Sequence, residues 1–89
     1  MDQTESERKM HLRPEQCRAA RGFLDWSQER LAQTAGVSRS TIRDFESGRH
    51  ELHRATEAAL VGTLESAGIS ILDADASGPG LRCRGQGES

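Results

Sequence analysis

Residues 27–48 read SQERLAQTAGVSRSTIRDFESG, and this stretch decides the fold. Ser27 can cap a helix by accepting from a free backbone N–H of the first turn. Leu31, Ala32 and Ala35 follow at helical spacing and make one apolar face. Gly36 stands where a helix end needs a left-handed residue. Val37 is apolar and can plug the corner. Ser38 can cap a second helix whose buried side is Ile42 and Phe45, and Gly48 offers its stop.

Two short helices joined through a glycine corner and packed by Leu31, Ala35, Val37 and Ile42 make a helix-turn-helix. An ordinary αα-hairpin in a helical bundle has the same pattern. The outward face of the second helix separates the two readings. It carries Arg39, Ser40, Arg43 and Asp44, short or planar groups that donate and accept, as base edges and phosphates require. A merely solvated face more often carries Lys and Glu in i,i+4 pairs.

Trp26-Ser27-Gln28-Glu29, Leu31-Ala32, Ala35-Gly36-Val37-Ser38, Thr41-Ile42 and Phe45-Glu46-Ser47-Gly48 resemble the phage-repressor/Cro-type helix-turn-helix family, also called the XRE family. The resemblance covers roughly Pro14 to Ala67. It implies an all-α, lambda-repressor-like bundle of four to five short helices that binds operator DNA as a homodimer. It also implies an ion pair between Arg21 on the first helix and Glu46 near the end of the recognition helix. A guanidinium on an apolar face needs such a carboxylate partner. By the same resemblance Gln28 lies over the DNA backbone and braces the recognition helix, and a basic residue follows Gly48 against a phosphate. Members of the family often have a proline in this loop, where the present chain reads Glu51-Leu52-His53-Arg54.

These expectations assign the site. With a recognition helix at about 38–47 in the major groove, Arg39, Ser40, Arg43 and Asp44 are the candidate base contacts. Arg39 can donate two bonds to one guanine. Asp44 repels phosphate, so it either accepts from a cytosine amino group or turns aside to pair with Arg43 or Arg30. Gln28, Ser38, Arg49 and His50 are the candidate phosphate contacts.

At 89 residues the chain is too short for two full cores. With 34% hydrophobic and 3% aromatic residues, that core must be small and aliphatic. No apolar run approaches the ~20 residues of a membrane span, and Met1 to Arg13 carries no apolar signal segment. A cytoplasmic protein without membrane contact is expected. The net charge is −2, which at first argues against nucleic acid. Residues 13–54, however, hold eight arginines against six acids, whereas residues 55–89 hold two against five. The positive charge therefore lies in the motif half, and a shallow salt dependence is expected.

Neither Cys17 nor Cys83 belongs to a CxxC motif, so no zinc or redox site is indicated and Cys17 reads as a small core residue. His11, His50 and His53 form no tight ligand set. No catalytic set, phosphate-cradling glycine loop or paired carboxylates gather on the expected helices. The chain is therefore read as no enzyme, with no cofactor and no metal.

Residues 1–12 mix charges without periodicity and read as a flexible arm. Residues 13–68 are the helix-turn-helix domain. Its first helix runs from about Pro14 to Leu24, with Cys17, Ala20, Arg21 and Leu24 on one face. A last helix at about His53 to Ala67 has a stripe of Thr56, Ala59, Leu60, Thr63, Leu64 and Ala67. Residues 69–84 read as a short β-hairpin, Ile69–Leu72 with about Gly80–Arg84, around the turn formers DADASGPG. A lone hairpin is marginal in water. It needs cover from the bundle or from a second subunit, which makes it a possible dimerisation element. Residues 85–89 read as a disordered tail. A reading from another class also fits: a protein-interaction module, antiactivator or antitoxin-like, that keeps the fold. The acidic C-terminal third supports it. RNA polymerase or another partner protein is compatible with both readings.

Overall fold

The structure is a computed structural model that describes residues 12–72 and 80–83. Four helices and one hairpin are built from them: α1 (Pro14–Leu24), α2 (Gln28–Ala35), α3 (Arg39–Glu46), α4 (Arg54–Ser66), β1 (Ile69–Leu72) and β2 (Gly80–Cys83). No helix among them is long and apolar enough to cross a membrane. Most of the expected arm (residues 1–11), the turn at 73–79 and the tail at 85–89 lie outside the described residues.

Pro14 opens α1, where its missing N–H costs no hydrogen bond. Gln16 closes the same turn by accepting the Arg13 amide on Oε1 at 2.9 Å. The helix ends on Asp25 at φ 61°, a left-handed residue whose amide donates back to α1. Asp tolerates this region better than most side chains. The α1 face of Cys17, Ala20, Arg21 and Leu24 is the inward one: Cys17 and Ala20 are buried and the other two half-buried. Gly22 lies on the exposed side, and a methyl group there would meet nothing within 4 Å. Gly22→Ala is therefore expected to raise stability by about 0.5–1 kcal/mol, through helix propensity alone. A urea midpoint that does not rise would show that this turn of α1 tolerates glycine at no cost.

Among the described residues the core is one cluster, aliphatic apart from Phe45 and Cys17, to which every element contributes. Leu31, Ile42, Leu60, Leu64 and Ile69 are all fully buried. Each such side chain contributes about 1.5–3 kcal/mol relative to exposure. Two features correct the sequence reading. Leu12, placed in the flexible arm, is buried in the core, and its amide donates to Glu57 Oε2 at 2.7 Å. The packed domain thus includes Leu12, ahead of the first helix, through its buried side chain and its bond to α4. Val61, outside the expected stripe of α4, is also buried. Helix α4 meets both α2 and β1, so its apolar surface must be wider than one stripe.

The strands pair antiparallel, with Ile69 opposite Cys83 and Ile71 opposite Leu81. Ile69 and Ile71 alternate onto one face, as the sequence indicates, and that face packs on the protein's own bundle. Gln16 Nε2 adds a bond to the Leu72 carbonyl at 2.8 Å and ties the hairpin to α1. The hairpin is therefore a wall of the core and not a loose appendage.

Candidate nucleic-acid interface

Two serine caps and one glycine build the corner that presents α3. Ser27 Oγ accepts the Arg30 amide at 2.9 Å and starts α2. Gly36 stops it at φ 78°, and its amide and that of Val37 both return to the Ala32 carbonyl at 2.9 and 3.0 Å. Ser38 Oγ accepts the Thr41 amide at 3.2 Å and starts α3. At the far end the chain turns at Gly48, φ 82°, where the Arg49 and His50 amides donate to the Asp44 carbonyl at 2.9 and 3.3 Å.

Helix α3 has two faces. Ile42, Phe45 and Glu46 are buried, whereas Arg39, Ser40 and Arg43 are exposed. A buried glutamate needs an account. The Glu46 carboxylate has four lone-pair sites, and each meets a donor. Oε1 accepts from Arg21 Nη2 at 2.7 Å and Gln28 Nε2 at 3.1 Å. Oε2 accepts from Arg21 Nε at 2.8 Å and Cys17 Sγ at 3.1 Å. Arg21 completes its fork by donating Nη1 to the Trp26 carbonyl at 2.9 Å, and Arg18 Nη1 donates to the Glu46 backbone carbonyl at the end of α3.

The electrostatics follow from this arrangement. Burial pushes the Glu46 carboxyl up, but the hydrogen bonds from Arg21, Cys17 and Gln28 outweigh it and hold the group below its ordinary value. Its hydrogen bond to Glu46 raises Arg21 against an opposing burial effect. Burial, reinforced by the carboxylate, pushes the Cys17 thiol far above the ordinary thiol range, so it stays protonated. Among the described residues no buried side-chain polar atom lacks a hydrogen-bond partner.

The Arg21–Glu46 pair expected from the sequence is thus present, bidentate and mostly buried. Arg39, Ser40 and Arg43 stand exposed on one helix face. Asp44 is half-buried, with Oδ1 at 3.7 Å from Arg43 Nε. Ser40, Asp44 and His50 line one cleft of about 270 Å³ that runs from α3 to His53 and Thr56 at the start of α4. Arg49 and His50 are exposed in the turn after α3. Two candidates have other commitments in the free protein: Ser38 caps α3, and Gln28 braces Glu46. Trp26 packs against the core, with the Arg30 guanidinium 4.9 Å over its ring.

Sequence reasoning missed Gln16, Arg18 and the role of Cys17. Gln16 carried a usable signal, the capping spacing of a glutamine at the third helical position. Arg18 and Cys17 carried none, because their partner is 28 and 29 residues away in sequence and adjacent only in space. No set of three or more His, Cys, Asp or Glu able to hold a metal occurs among the described residues.

Residues 18–56 match a protein-family model described as helix-turn-helix. The match spans α1 from Arg18, the whole of α2 and α3, and the start of α4. No curated protein matches the chain.

Proposed function

Because residues 18–56 make this chain a DNA-binding helix-turn-helix protein of the phage-repressor/Cro (XRE) type, we propose that it is a transcriptional repressor acting as a homodimer on a palindromic operator. The observation that carries this reading is the split of α3. Its inner face is anchored by a saturated carboxylate, and its outer face offers Arg39, Ser40 and Arg43 to solvent. Such a helix enters the major groove by its N-terminal end. Arg39, Ser40 and Arg43 then read base edges. Asp44 either accepts from a cytosine amino group or holds Arg43 in place. Ser38, Arg49 and His50 meet phosphates, and Gln28 adds its second amide hydrogen to a phosphate while the first stays on Glu46. Occlusion of polymerase in the cytoplasm is the mode of repression.

Selection from random duplexes at about 100 mM salt, with wild type beside Arg39→Ala, tests the proposal. The expected result is a palindrome with half-sites one turn apart. Arg39→Ala should lose about 1–3 kcal/mol of discrimination at one base pair of each half-site. Weak binding that neither sequence nor Arg39 affects would instead favour a protein-interaction module, a reading that the net charge of −2 supports.

Among the described residues the two-stranded sheet has open edges, and open edges pair with other chains. The hairpin is therefore our candidate for the dimer contact, with exposed Leu72 at the end of β1. Leu72→Lys is expected to shift the protein from dimer to monomer in solution without unfolding it. An unchanged dimer would place the contact elsewhere.

A further inference from the structure

Cys17 is the least conspicuous member of the group around Glu46, and its place there is specific. Cys17 and Arg21 are four residues apart on α1, so one helix face grips the carboxylate twice. Gln28 of α2 closes the other side. Cys17 is fully buried and Glu46 nearly so. Oε2 has two donors, Arg21 Nε and Cys17 Sγ, and water has little access to replace either.

We infer that Cys17 is a positioning residue for the recognition helix: its thiol donates to Glu46 Oε2 and, with Arg21 and Gln28, holds the C-terminal end of α3 in one orientation on α1. A methyl group at this position would fill part of the same space and leave one buried lone pair without a donor. The carboxylate would then be free to rock about its bond to Arg21, and the end of α3 with it. A hydroxyl would keep the donor. The inference rests on the proposed function only in what the positioned helix is for.

Its test therefore uses the free protein. The Glu46 carboxyl is followed by carbon NMR through an acid titration, and backbone amide exchange is read residue by residue, for wild type, Cys17→Ala and Cys17→Ser. In Cys17→Ala the Glu46 titration is expected to move to higher pH. Exchange at the Phe45, Glu46 and Ser47 amides should quicken about tenfold relative to α4, the loss of a hydrogen bond to a charged group. Cys17→Ser should restore both. A Glu46 titration unchanged in Cys17→Ala would overturn the inference, and so would exchange that quickens equally in α1, α3 and α4. The first outcome means the thiol gives the carboxylate nothing, the second that it serves general stability. If no duplex is selected by the wild type, the DNA reading fails and these two readouts still decide the role of Cys17.

Discussion

Glu46→Ala is expected to cost about 3–5 kcal/mol, the usual loss when one partner of a buried ion pair is removed. The loss is large because the carboxylate serves four donors at once. Without it the half-buried Arg21 guanidinium, Gln28 Nε2 and the Cys17 thiol all lose their acceptor. A domain of this size has about 5–10 kcal/mol in total, so much of that margin would go. Urea unfolding followed by circular dichroism measures it. A loss under about 1 kcal/mol would class the pair with exposed salt bridges and contradict the burial. Acid should remove part of this stabilisation in the wild type. The folded pKa of Glu46 lies below its ordinary value of 4.5. Its stabilisation is thus complete above that value and is lost as pH falls through the lower, folded one. In Glu46→Gln the acid limb of the stability profile should flatten.

Ile69→Ala is expected to cost about 2–5 kcal/mol, the range for a fully buried aliphatic side chain cut to a methyl group. This result would carry information beyond packing, because Ile69 lies outside the matched span of 18–56. A large loss means that the hairpin is part of the domain's own core. A loss below about 1 kcal/mol, measured by the same unfolding curve, would mean that residues 13–68 fold without it. The expected outcome also bears on how dimerisation is tested. Truncation after Gly68 would remove Ile69 and Ile71 from the core together with any dimer contact. A monomer obtained that way would not distinguish a lost interface from a lost fold, whereas an exposed change such as Leu72→Lys does.

The helix-turn-helix was legible because its signals are local. Ser27, Gly36, Ser38 and Gly48 act on the backbone within a few residues of themselves, and the apolar spacing of Leu31, Ala32 and Ile42 needs only the helical period. Arg39, Ser40 and Arg43 followed from the same period, since a face opposite the buried one must meet solvent, whereas Asp44, expected with them, is half-buried beside Arg43. The Arg21–Glu46 pair was legible only through resemblance, because nothing local joins two residues that far apart.

What the sequence by itself determined, then, is the set of elements, their ends and which side of α3 faces out. Only the tertiary structure decided what closes the core and what fills the space beneath α3. Leu12 and Val61 are buried because neighbouring elements leave room over them, which no period of their own segment encodes. Cys17 and Arg18 join Arg21 and Gln28 on Glu46 because three helices meet there. A hydrogen bond between distant residues depends on the relative placement of whole helices, and that placement is set by packing summed over the entire core.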